Sequence, residues 1–161
     1  MLVRDLMQKD VVTATPETPI TAVAQLMRRN DVGAIVILEA DKLVGIVTDR
    51  DLVIQHLARG HTGDCPVREA MSGDKPLLGL VTIRPDMELE EAARQLGQRR
   101  VGRLPVVENG RLVGILSASD VARELRQALD GLLAEGEKAT TDATAGEPIG
   151  EKAYAPRGGV A

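Results

Sequence analysis

At 161 residues the chain can bury one real core, and its 43% apolar content is almost wholly aliphatic, with no Phe, no Trp and Tyr154 as the single ring of the Phe/Trp/Tyr class. The formal net charge of -4 offers no basic footprint for phosphate backbones, and bases would find no aromatic platform, so a nucleic-acid role is excluded as a first reading. No run approaches the roughly 18 apolar residues of a membrane span. The polar start around Arg4, Asp5 and Asp10 is unlike a secretion signal, and a lone Cys65 fits a reducing compartment, so a cytoplasmic location is expected.

In chain order, Val3 to Met7 reads as a short helical lead-in that returns as Val67 to Met71, 64 residues later. From Thr13 to Asp51 the chain then matches Thr82 to Asp120 without a gap at a period of 69, so the second copy carries five extra residues before Thr82. Each copy has one apolar helix stripe, Ile20, Val23, Ala24 and Met27 in the first and Leu89, Ala92, Ala93 and Leu96 in the second, spaced i, i+3, i+4, i+7. Two short strands follow in each, Ile35 to Leu38 with Leu43 to Val47, and Leu104 to Val107 with Leu112 to Leu116. The second pair is joined by Asn109-Gly110, a strong hairpin signal. A closing helix runs from Leu52 to Ala58, stopped by Gly60, and its counterpart carries Val121, Leu125, Leu129 and Leu132. The pattern predicts an α+β fold of two β-α-β-β-α repeats, residues 1–64 and 65–133. Beyond about Ala134 the composition cannot offset chain entropy, and residues 134–161 are expected to form a flexible tail.

The chemistry gathers where each second strand meets its helix, at Gly45-Ile46-Val47-Thr48-Asp49-Arg50-Asp51 and Gly114-Ile115-Leu116-Ser117-Ala118-Ser119-Asp120. A hydroxyl three residues before an aspartate suits a helix N-cap, with the acid favoured by the helix dipole. The same pair also suits a sugar, because an ionised carboxylate accepts hydrogen bonds from two neighbouring hydroxyls. Either use would be preserved by duplication.

Other constellations carry less. His56, His61 and Cys65, with Asp64 nearby, match no standard zinc spacing and are read as ordinary polar residues of a helix end and connector; no metal is expected. Glu90 and Glu91 read as the solvated face of a helix. No nucleophile elbow, phosphate loop or dinucleotide glycine pattern occurs, so an enzyme is not expected.

The doubled Gly-apolar-apolar-Thr/Ser-x-x-Asp ending resembles the tandem cystathionine-β-synthase (CBS) domain pair over roughly Leu2 to Leu133, and is similar to stand-alone bacterial members around Thr48-Asp49-Arg50-Asp51. The resemblance implies a Bateman-type module, two repeats packed sheet to sheet with pseudo-two-fold symmetry, and a non-catalytic sensor of adenosine-containing ligands such as AMP, ADP, ATP or S-adenosylmethionine. It implies no required cofactor, a homodimer and an unnamed protein partner. Carried over crosswise, it groups Thr48 and Asp51 with Thr82, Val101, Gly102 and Arg103 in one cleft, and Ser117, Ser119 and Asp120 with Thr13, Val32, Gly33 and Ala34 in the other. Arg103 stands where family members often contact phosphate and its counterpart Ala34 has no charge, so the Asp51/Arg103 cleft is expected to be the tighter site. Arg50 is either a second cation there or a solvated helix-start residue. The alternatives to a sensor are a scaffold whose task is dimerisation and, third, an enzyme with a site between subunits.

Overall fold

A computed structural model describes residues 1–72 and 79–143 of the chain. Met1–Arg123 form one compact unit, and a second begins at Glu124, within the last helix.

In the first repeat, α1 (Val3–Leu6) leads to β1 (Thr13–Ala14), α2 (Ile20–Asn30), β2 (Ala34–Glu39) and β3 (Lys42–Thr48). The closing helix starts as α3 (Asp49–Asp51), widens into a π-helical segment at Leu52–His56 and tightens into a 3-10 turn at Leu57–Arg59, which Gly60 ends at φ 79°. A second 3-10 turn, Val67–Glu69, opens the next repeat, followed by α4 (Leu89–Arg99), β4 (Arg103–Glu108), β5 (Arg111–Ser117) and α5 (Ala118–Ala143). The expected β-α-β-β-α order holds. In the second repeat the first strand is reduced to one parallel bridge, Ile83 to Val106, where the first has β1 paired with β2 at Thr13–Val36 and Ala14–Ile37.

Both hairpins are antiparallel, in equivalent registers: Ala34 faces Thr48 and Glu39 faces Lys42, as Arg103 faces Ser117 and Glu108 faces Arg111. The turns use positive φ at both central positions, Asn109 and Gly110 in one and Ala40 and Asp41 in the other, so the tight geometry forms even where no glycine relieves it. β3 lies against β5, which joins the two small sheets.

Each repeat has its own core, and each core borrows from the other repeat's sequence. Ile20, Val23, Met27, Ile35, Ile37, Val47 and Leu52 pack with Val67, Ala70 and Met71, which begin the second period. Leu89, Ala92, Leu96, Leu104, Val106 and Leu116 pack with Val3, and Leu6 and Met7 lean on the same cluster. The exchange is pinned by backbone pairing, Gln8 with Ile115 and Ser72 with Ile46. A Cβ on Gly114 would lie 2.7 Å from the Met7 sulfur and 3.0 Å from the Gln8 carbonyl oxygen, and one on Gly45 would lie 2.7 Å from the Met71 sulfur and 2.9 Å from the Ser72 carbonyl oxygen. Glycine at these two positions lets the exchanged segments reach the strands. The sequence periods are therefore not the packing units.

α5 continues to Ala143, past the point near Ala134 where the apolar pattern stops. Gly131 aside, Leu125 to Glu135 is largely Leu, Ala, Gln, Arg and Glu, whose helix propensity carries the helix into the first part of the stretch expected to be a flexible tail. The remainder of the proposed tail, residues 144–161, lies outside the described residues.

Candidate functional site

The two hydroxyl-acid corners are both helix caps. Asp51 N–H donates to Thr48 Oγ1 (3.2 Å), while Asp51 Oδ2 accepts from the Thr48 N–H (2.9 Å) and hydroxyl (2.8 Å). In the second repeat Asp120 N–H donates to Ser117 Oγ (3.1 Å), and that hydroxyl donates to Asp120 Oδ2 (2.5 Å). The capping use is realised in both copies. A carboxylate has about four acceptor positions, so neither acid is exhausted by its cap.

Beyond the caps the corners diverge. Asp120 is 4% exposed, and its Oδ1 also accepts from the Arg123 guanidinium. Asp120, Ser117 and Ser119 line a cavity of about 260 Å³ together with Val32, Gly33 and Ala34, and Gln8, Asp10, Val11, Val12 and Asp31 also line it. The first six are residues that the crosswise grouping places together. Thr13, the seventh, is exposed on β1 and is not among the lining residues, where Val11 and Val12 stand instead.

Arg103 departs from the expected grouping. Its guanidinium reaches over Gly33, in the first repeat, and lines the Asp120 cavity. The reason is register: Arg103 starts β4 directly opposite Ser117, and Gly33, having no side chain, leaves the space that the long Arg103 side chain enters. At the other corner, Thr48 and Asp51 are half-buried, whereas Arg50, Thr82, Val101 and Gly102 are exposed. The stretch answering Gln8 to Val12 there includes residues 73–78, which lie outside the described residues.

Residues that sequence spacing did not mark are Arg123, Asp10, Asp31 and Gln8. Arg123 is legible in the sequence, since it lies at i+3 from Asp120 on the same helix. Gln8 and Asp10 are not, because they reach the cavity only through the exchange of lead-in segments.

A second gathering is tighter than the sequence spacing suggests. His56, His61 and Cys65, with Glu69, present ring nitrogens, a sulfur and a carboxylate oxygen that all lie within 4.8 Å of one another. Asp64, the acid nearest in sequence, is exposed and is not in the set. The left-handed Gly60 turns the chain back so that the His61 N–H bonds the His56 carbonyl (3.3 Å), and the turn at Val67–Glu69 brings up the glutamate.

Two α+β repeats with exchanged lead-ins and a hydroxyl-acid corner in each define a CBS pair. The CBS domain family model matches residues 3–55 and 66–127, and the chain belongs to that family. It is 39% identical over 120 residues to the CBS domain-containing protein YhcV of Bacillus subtilis, covering 74% of this chain and 82% of that protein. Among solved structures it resembles the CBS domain pair of protein MJ0100 in complex with 5-methylthioadenosine and S-adenosyl-L-methionine, at 25% identity and a TM-score of 0.71, covering 80% of this chain and 98% of that one. It also resembles CBSX2 in complex with AMP, at 29% identity and a TM-score of 0.65, covering 79% and 97%. CBS pairs of this kind are regulatory modules. No helix among the described residues is long and apolar enough to cross a membrane.

Proposed function

We propose that the protein is a non-catalytic sensor that binds an adenosine nucleotide, AMP or ATP being favoured, in the cavity at Asp120. The observation that supports this reading is the meeting of opposite chemistries in one hollow. Asp120 and Ser117 offer acceptors and a hydroxyl suited to a ribose, and Arg103 offers a cation suited to phosphate. Val32, Ala34 and Ile115 supply aliphatic surface for a base in a chain without Phe or Trp. The likeness to structures holding AMP or S-adenosyl-L-methionine points to the same ligand class. The Asp51 corner is the secondary site, with Thr48 and Asp51 as its polar groups and Arg50, Thr82, Val101 and Gly102 assigned to it by analogy between the repeats.

Regulation requires a ligand to favour one of two states, and a homodimer supplies them. Val53, Ile54 and Leu57 are all about half exposed on the closing helix of the first repeat, and Leu125, Leu129, Leu132 and Leu133 are also more than half exposed on α5. Apolar faces of this kind suit a partner copy.

Isothermal titration of the whole chain with AMP, ATP and S-adenosylmethionine tests the sensor reading. A ligand that binds the folded state also raises the melting temperature. No binding by any of the three, with a stable dimer in sedimentation, would favour the scaffold alternative instead.

A further inference from the structure

We propose that His56, His61, Cys65 and Glu69 form a zinc-type metal site that fastens the end of the first repeat's closing helix to the connector entering the second repeat. The inference does not depend on the nucleotide reading.

The donor set is one thiol, two imidazoles and one carboxylate, spaced His-x4-His-x3-Cys-x3-Glu. Four protein donors of nitrogen, sulfur and oxygen type match a tetrahedral structural zinc centre, and thiolate with imidazole selects against magnesium and calcium. With bonds near 2.0–2.3 Å, such an ion separates its donors by about 3.3–3.8 Å. The present limit of 4.8 Å needs only a small contraction. Glu69 and His61 are free to make it, with side chains 42% and 44% exposed and 3.7 Å between Oε2 and Nδ1.

His56 supplies the independent observation. Its ring is fully buried, and Nε2 lies 2.6 Å from the Thr62 carbonyl oxygen. A carbonyl has no hydrogen to give, so Nε2 must donate, and in the neutral ring Nδ1 then carries the lone pair. That Nδ1 is buried without a hydrogen-bond partner among the described residues. A buried acceptor left unpaired is costly in any fold, whereas a ring held by one nitrogen on a backbone carbonyl and open at the other is how ligand histidines are oriented. His61 stands edge-on to the same ring, with centroids 5.0 Å apart. The π-helical segment that ends at His56 is a type of distortion that recurs at functional sites. Charge also closes: a deprotonated Cys65 and an ionised Glu69 would neutralise a divalent ion held between them.

The test uses the full chain stripped by a chelator and titrated with Co²⁺, then Zn²⁺. One equivalent of Co²⁺ is expected to give the intense visible bands of tetrahedral coordination and a thiolate-to-metal charge-transfer band, both removed by Zn²⁺. Cys65→Ser should abolish the charge-transfer band with the circular dichroism unchanged. His61→Ala should weaken Zn²⁺ binding by more than the roughly ten- to hundredfold that loss of an outer partner costs. Asp64→Asn should leave both intact. His56→Ala risks the fold, so the inference is judged on the other variants. A weak octahedral Co²⁺ spectrum, or Zn²⁺ affinity unchanged in both Cys65→Ser and His61→Ala, overturns it.

Discussion

A terminal nitrogen of Arg103 lies 2.7 Å from the point where a Cβ on Gly33 would stand, so a cation from the second repeat occupies space that the first repeat leaves by lacking a side chain. The atom in the way is the far end of a flexible chain. Gly33→Ala is therefore expected to change stability by less than about 1 kcal/mol, the lost backbone freedom of the unfolded chain offsetting the crowding. It should nevertheless push the guanidinium aside and weaken AMP binding, as Arg103→Ala does. Calorimetry on both variants checks this, and equal affinity in both and in the wild type would remove Arg103 from the phosphate end.

The two acids should separate in the same assay. Asp120→Asn is expected to weaken AMP binding at least about tenfold, the scale of losing one charge-assisted hydrogen bond, while Asp51→Asn leaves the principal affinity nearly intact. If Asp51→Asn were the damaging change, the principal site would lie at the other corner.

Capping makes a claim on stability that needs no ligand. Thr48→Ala and Ser117→Ala each remove the oxygen that accepts the aspartate N–H, and each should cost about 0.5–2 kcal/mol in urea unfolding.

Glycines sort by what surrounds them. Gly114→Ala and Gly45→Ala would drive a methyl into a methionine sulfur and a backbone oxygen, and overpacking of this kind costs about 1–3 kcal/mol. Gly97, inside α4, has nothing within 4 Å of its missing Cβ, so Gly97→Ala should stabilise by about 0.5–1 kcal/mol. Denaturant midpoints measured side by side give the opposite signs directly.

Arg84 donates two hydrogen bonds to Asp86, of 2.8 and 2.6 Å, and these bonds hold the Asp86 carboxyl below its ordinary value of 3.8. A carboxyl depressed in the folded state adds stability that is present above the ordinary value and is lost as pH falls through the depressed one. The pair lies on the surface, where solvent screens it, so the effect is small. An NMR titration should show the Asp86 carboxyl moving upward in Arg84→Ala.

The repeat was legible because every signal for it is local: apolar spacing in α2 and α4, Asn109-Gly110, and the paired Thr48/Asp51 and Ser117/Asp120. The aliphatic stripes also named the right buried faces, with Ile20, Val23 and Met27 inside, although Ala24 proves exposed. Non-local information was hidden. Whether Arg103 faces Asp51 or Asp120 depends on which way a long side chain crosses between repeats, and on Gly33 leaving room. His56, His61, Cys65 and Glu69 looked scattered because a left-handed residue and two short turns, not a repeating spacing, bring them together.

Because Val3 and Met7 complete the core of the second repeat, while Val67 and Met71 complete that of the first, neither sequence period is a self-sufficient folding unit. A gene fragment ending near residue 64 would encode a half whose hydrophobic floor is missing and whose amino terminus has nothing to cover. Supplied together, the two fragments hold all the pieces and should recover structure by association, each remaining unfolded alone. Interleaving of this sort ties the duplicated halves to a common fate, so that damage to either one is felt throughout the Met1–Arg123 unit.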